Sequence, residues 1–442
     1  DRTATLIKAI RAERGDDKVL LLDGGDTWQG SYTSLKTNGQ DMVECMKLLK
    51  PDAMVGHWEF TLGAERVLEL IESLGYPFLA SNIVDTDWEE PVFDSTAVYN
   101  VGGSRVAVIG QAMPYTPIAN PRWMFPEWSF GLRTGLLQQN VEAARSDGAD
   151  VVVLLSHNGF DVDRKLASVV PGIDVILTGH THDAIPEAVK VGDTLILASG
   201  SHGKFLGRVD LEVKNGKVSD YSSTLIPVFS DVIDSDPEMS AKIDEVRAPF
   251  ATELDRVIGK TDGLLYRRGN FNGSWDDLIC EGLIAERDAQ FSLSPGFRWG
   301  TTLLPGSDIT IDDLYTQTSM TYPSVYRLEF TGAQLHEILE DVCDNLFNAD
   351  PFFQQGGDMV RVGGMGYTCE PAATMGSRIS NMTDLSTGKL LDPGKSYVVA
   401  GWASVNENVE GPAVYDLMEN YIASKDVVTP VQNDAVKIVN SQ

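Results

Sequence analysis

Asp150-Val151-Val152-Val153-Leu154-Leu155-Ser156-His157-Asn158-Gly159 is an apolar run, rich in β-branched residues, that stops at a histidine and a glycine. Such a run reads as a strand buried on both faces, the kind a parallel sheet uses. The same pattern recurs at Asp174-Val175-Ile176-Leu177-Thr178-Gly179-His180-Thr181-His182, at Val19-Leu20-Leu21-Leu22-Asp23-Gly24-Gly25-Asp26 and at Ala53-Met54-Val55-Gly56-His57-Trp58-Glu59. In an open α/β sheet the carboxyl ends of the strands form one rim, where ligands and chemistry collect. Four of the six histidines, together with Asp26, are therefore expected on that rim. Imidazole combined with carboxylate suits Zn, Mn, Fe or Ni better than Ca. The pattern predicts a metal site built from Asp26, His57, His157, His180 and His182.

Outward from these motifs, strand and helix alternate to about residue 225. Helices are expected at 64–74 and 132–146, strands at 77–80, 105–110, 194–198 and 206–213, and Asn215-Gly216 marks a hairpin turn. This is the pattern of a layered α/β domain. Residues 1–14 already read as an amphipathic helix, so a first strand and a signal segment are expected upstream of it. Residues 237–257, rich in Asp, Glu, Lys and Ala, read as helical. A second domain mixes helices, such as 332–345 behind Thr331, with strands near 325–330 and 397–401. The expected division is 1–230, a helical linker at 231–257, and an α+β domain at 258–442.

With 442 residues, 43% of them hydrophobic, the chain can bury two cores. Its 35 basic and 64 acidic residues give a formal charge of −29, which argues against nucleic acid or an anionic membrane as a partner held by a broad basic surface. No run approaches the roughly 18 apolar residues of a membrane helix. Cys45, Cys280, Cys343 and Cys369 lack the spacing of a thiolate metal knot and read as small buried hydrophobes.

The ordered motifs Gly-Asp, Gly-His-x-Glu, His-Asn-Gly and Gly-His-x-His resemble those of the calcineurin-like dimetal phosphoesterases. The long following domain resembles the 5'-nucleotidase family. Nucleotidases carry Gly-Asn-His-Glu where this chain has Gly56-His57-Trp58-Glu59-Phe60, and that variant looks like the SoxB thiosulfohydrolases. Ser294-Pro295-Gly296-Phe297-Arg298-Trp299-Gly300 is SoxB-like as well. The resemblance implies two metal ions, manganese or alternatively zinc, with Asp26 bridging them. His57, His157 and His180 would complete one site. His182 would bind the other, whose remaining ligands the family takes from an earlier strand.

It further implies a periplasmic enzyme that hydrolyses a cysteine S-thiosulfonate on a SoxYZ-type carrier, whose cysteine arm enters between the domains, releasing sulfate. A 5'-nucleotidase or another phosphomonoesterase is the alternative. A nucleotidase would need an aromatic pair for the base, for which Phe352, Phe353 and Tyr367 are candidates. A metal-stabilised binding protein without turnover is a third reading.

Trp58 stands where nucleotidases place a histidine near the transferring group. An indole cannot carry charge and can only donate. A sulfonate on sulfur bears one less charge than a phosphomonoester, and a persulfide leaves without a strong acid, so that loss suits a thiosulfonate. Arg298 is the candidate clamp for the sulfonate, because guanidinium pairs with two oxygens at once. Arg267, Arg268 and Arg361 are further candidates for an electropositive patch, and glycines 356–366 for close approach of a peptide. Asn158 reads as a turn residue or a substrate donor, Glu59 as a support for a ligand or a helix-start charge, and Asp23 as a turn cap. His202 and His336 read as ordinary solvated or structural histidines.

Overall fold

A computed structural model describes residues 1–267, 269–297, 300–430 and 435–439. Two compact units emerge, one from Asp1–Gln29 with Lys36–Pro249 and the other from Gly30–Leu35 with Phe250–Gln442.

The first unit is built on a six-stranded sheet, in the order Thr96–Val101, Ser104–Gln111, Val151–Ser156, Val175–Thr178, Thr194–Ala198, Val189–Val191. The four inner strands run parallel and the two edge strands antiparallel. Their register aligns Gln111 with Ser156, Ser156 with Thr178, and Thr178 with Ala198, so the inner strands end level. Every residue of Val151–Ser156 is buried, as its unbroken apolar run requires. Helices Thr134–Ser146 and Phe160–Val169 pack on the sheet through Leu137, Val141, Val162 and Leu166.

A short parallel pair, Leu22–Asp23 with Ala53–Met54, shares a core with the large sheet through Ala53, Val55, Leu79 and Val153. The strand expected at 77–80 is reduced to two bridges, at Phe78 and Leu79. Gly110 allows this, since a Cβ there would sit 2.3 Å from Leu79 Cβ. The hairpin Phe205–Lys214 with Lys217–Pro227 turns through Asn215 and Gly216, at φ 53° and 69°, as the dipeptide predicted. Helix Arg2–Arg14 is capped by Asp1, and Pro237–Arg247 by Asp236.

In the second unit a four-stranded sheet runs Tyr326–Thr331, Ser396–Gly401, Phe291–Ser294, Arg361–Gly363, and a second one runs Lys389–Leu390, Ile379–Asp384, Met365–Cys369, Val436–Ile438. Helix Gly332–Leu346 starts at a capping box formed by Thr331 and Gln334. It buries Leu335, Leu339 and Cys343 against Phe291, Met365, Cys369 and Val399. All four cysteines are buried, as their apolar character predicted. No helix among the described residues is long and apolar enough to cross a membrane.

Candidate metal centre

The level strand ends set the site. Val151–Ser156 hands on to His157, Val175–Thr178 to Gly179-His180, and the short pair to Asp26 and His57. These loops meet at glycines. A Cβ on Gly25, at φ 88°, would lie 2.9 Å from Val55 O and 3.0 Å from His157 Nδ1. A Cβ on Gly179 would lie 3.1 Å from both Gly24 O and His157 Nδ1. Larger residues at these two positions would push the loops apart.

His57, His157 and His180 are buried and offer ring nitrogens that all lie within 4.8 Å of one another. Asp26 Oδ1 is 3.2 Å from His57 Nδ1, and Asp26 Oδ2 is 3.1 Å from His157 Nε2. The other face of His157 fixes its tautomer. Nδ1 lies 2.5 Å from the carbonyl of Gly24, which can only accept, so Nδ1 carries the hydrogen. A neutral His157 then turns its Nε2 lone pair toward a carboxylate and toward His57 Nδ1, 3.2 Å away. That arrangement is repulsive unless a cation, proton or metal, lies among the donors. Three imidazoles, a carboxylate and an orienting carbonyl therefore suit a transition-metal or zinc ion. Backbone strain marks the same place: Asp26, His180 and His182 hold φ of 62°, 69° and 59°.

Without a metal the proton takes that role. Burial alone would depress the His157 imidazolium, but the Asp26 carboxylate prevails and pushes its pKa up from 6.5 to about 9. Burial alone would raise Asp26, and His157 and His57 reverse this, holding it well below the usual carboxylate range. Because the folded pKa of His157 exceeds its unfolded value, its contribution to stability is full below pH 6.5 and is lost as pH rises through about 9. The melting temperature of chelator-treated protein is thus expected to fall across that window, while metal affinity rises because a proton must leave. A flat melting profile from pH 6.5 to 9 would show that this pair does not titrate as described.

Glu59 fixes the two loops from beneath. Its buried carboxylate accepts the backbone N–H groups of His57 at 2.8 Å, Thr27 at 2.6 Å, Asp26 at 3.3 Å and Trp28 at 3.4 Å. Asp23 accepts from Thr27 Oγ1 at 2.8 Å and Gly25 N–H at 3.1 Å, a turn cap. Burial raises its pKa to about 6. Asn158 sends its amide inward, donating to Gln111 Oε1 at 2.7 Å and Asp163 Oδ1 at 3.0 Å. Trp58 begins a short 3-10 turn with its ring 5.1 Å from that of His57, and its backbone N–H donates to Asp26 Oδ1 at 3.1 Å.

The remaining predicted residues lie elsewhere. His182 is outside the tight imidazole cluster, and its ring is 5.7 Å from that of His202. His202 was read as ordinary because it follows the ligand strands, yet it too comes just after an apolar strand, Thr194–Ala198. His336 donates to or accepts no ligand in this cluster; its Nε2 lies 3.0 Å from Ile379 O, as a structural histidine would.

Arg361 is buried in the second unit, on Asp276 at 3.3 Å, Asp358 at 3.1 Å and the Gly269 carbonyl at 2.6 Å. Arg267 is buried on the other oxygen of Asp276 at 2.9 Å. Both were expected in loops facing a substrate, and the structure places them inside this ion network. Arg298 and Arg268 lie outside the described residues. Residues 356–366 do not form one open loop, because Arg361–Gly363 and Met365–Cys369 are strands with Gly364 turning between them at φ 73°. Tyr367 is buried, which removes it as an exposed base-stacking ring, whereas Phe353 is exposed.

Residues 257–415 match the family model described as the 5'-nucleotidase C-terminal domain. A curated 5'-nucleotidase of Diplobatis ommata is 28% identical over 64% of this chain and 53% of its own length. The snake venom 5'-nucleotidase of Naja atra is 27% identical over 64% of this chain and 58% of its own. The chain thus spans about half the length of these curated relatives. A solved 5'-nucleotidase precursor from Thermus thermophilus shares the fold, with a TM-score of 0.86 at 20% identity over 99% of this chain and 93% of that one. The sulfate thiohydrolase SoxB of Thermus thermophilus, solved with glycerol, superposes with a TM-score of 0.96 and is 37% identical over 99% of this chain and 82% of its own. At that identity and coverage, with the 5'-nucleotidase domain behind it, the chain belongs to the SoxB family of the 5'-nucleotidase superfamily.

Proposed function

We propose that the protein is a metal-dependent thiosulfohydrolase that releases sulfate from a cysteine S-thiosulfonate on a SoxYZ-type carrier protein in the periplasm. Residues 1–230 would carry the metals and 258–442 the substrate contacts. The observation that carries the reading is the Trp58 ring 5.1 Å from that of His57, where a phosphomonoesterase of this superfamily would place a histidine.

Asp26, His57, His157 and His180 would hold one ion, and Asp26 with His182 would contribute to a second, with manganese and zinc both compatible. When bound, such ions supply Lewis acidity, acidifying water toward neutral pH and drawing charge from an anionic sulfonate. The chain's part is orientation. Gly24 O keeps His157 in the tautomer that presents Nε2, Glu59 holds Asp26 and His57 in register, and the backbone N–H of residue 58 steadies Asp26 Oδ1. The Trp58 ring offers no proton to a leaving group, which a persulfide does not require. We assign sulfonate binding to Arg298, with Asn158 shaping the floor beside His157 through its bonds to Gln111 and Asp163.

Sulfate release from a cysteine S-thiosulfonate peptide is expected to stop on chelation and return with Mn. Sulfate release that survives chelation would overturn the reading. In Trp58→His, phosphomonoester hydrolysis relative to sulfate release is expected to rise at least ~10-fold, since a positioned acid favours the poorer leaving group. An unchanged ratio would show that position 58 does not select the substrate.

A further inference from the structure

The loop after Thr194–Ala198 carries a feature that the ligand motifs do not include. His202 lies between Gly200 and Gly203, at φ 71° and 62°, and itself holds φ 59°, the same left-handed backbone as His182 at 59°. Single left-handed residues without glycine's freedom are costly and cluster at functional sites. The two histidine loops are laced together. Gly200 N–H donates to Asp183 O at 2.7 Å, Ile185 N–H to Ala198 O at 3.1 Å, and Ala184 bridges Ser199. The rings of His182 and His202 stand edge to face at 5.7 Å, close to the 5.0 Å and 5.4 Å that separate the imidazoles of the neighbouring cluster. Ser201 Oγ lies 2.8 Å from His202 Nδ1 and orients the ring, as polar partners orient metal-binding imidazoles.

We propose that His202 is a further imidazole of this centre, binding the same divalent cation as His182. The inference rests on the metal-centre reading given above. It adds a nitrogen donor to the ion that His182 would bind. It also explains why this loop holds a strained non-glycine residue between two glycines.

Calorimetric titration of metal-free protein with Mn, and with Co followed by its visible absorption, tests the proposal in His202→Gly, His202→Asn, His180→Ala and the control His336→Ala. Glycine relieves the left-handed strain and asparagine tolerates it, so both variants keep the loop. The expected result is a 10- to 100-fold weaker affinity at one of two sites in both His202 variants, with an altered Co spectrum and a melting temperature in the metal-free state no lower than wild type. His180→Ala should instead weaken the other site, and His336→Ala neither. Isotherms and Co spectra of the His202 variants that match wild type would overturn the proposal while leaving the centre intact. A wild-type protein that takes up only one ion or none would overturn it together with the reading beneath it.

Discussion

Asp26→Asn is expected to lower kcat/KM for metal-dependent hydrolysis by roughly 10³-fold or more and to strip most bound metal. The substitution keeps the shape of the side chain and removes one negative charge. That charge lies 3.2 Å from His57 Nδ1 and 3.1 Å from His157 Nε2, and its Oδ1 also takes the backbone N–H of Trp58 at 3.1 Å. Burial depresses the His157 imidazolium and Asp26 is the chief group that opposes it, so the variant loses most of that opposition. The pKa of His157, about 9 in the metal-free protein, should then fall, a shift that imidazole NMR reads directly. Metal content by mass spectrometry and kcat/KM should fall together. A variant with wild-type metal content and activity within tenfold would mean that Asp26 is not part of the centre.

Glu59→Ala should have the second largest effect, and chiefly on stability. The carboxylate is fully buried and accepts four backbone N–H groups from the loops that present Asp26 and His57. Alanine leaves those donors without their acceptor. At about 1–3 kcal/mol for each unsatisfied buried donor, and with partial relaxation, a loss of about 3–5 kcal/mol is expected. For a unit of this size that is a fall in melting temperature of roughly 10 °C. Glu59→Gln keeps one acceptor oxygen and should fall between. Metal affinity should weaken roughly 10- to 100-fold in both, because the ligands lose their support. Calorimetry of the metal-free proteins separates the two effects. Equal melting temperatures for wild type and Glu59→Ala would show that the loops are held by something else.

The architecture of the first unit was legible because its signals are local. An apolar run that ends at glycine and histidine specifies both a buried strand and the rim residue it delivers, and His57, His157, His180 and Asp26 do converge. Asn215-Gly216 and the Thr331 cap were legible for the same reason, since turn and cap chemistry act over a few residues. What escaped depends on distant partners. Arg267 and Arg361 looked like loop cations in an acidic chain, but Asp276, on helix Ser274–Arg287, draws both into the interior. Charge burial follows from tertiary placement, which spacing along the chain does not encode. Three of the four backbone donors to Glu59 were invisible for a similar reason, because they lie some 30 positions away. Gly30–Leu35 joins the second unit, where Tyr32 lies 4.7 Å from Tyr315 ring to ring, and nothing local marks that excursion.

The most direct test compares two substrates in one preparation. Metal-loaded protein is given a cysteine S-thiosulfonate peptide or a 5'-nucleotide, and sulfate and phosphate are measured over time. Sulfate formed at least ~100-fold faster than phosphate is the predicted result, a margin of about 2.7 kcal/mol in transition-state binding. Phosphate without sulfate would contradict it and make the protein a nucleotidase in which Trp58 does not exclude phosphoryl transfer.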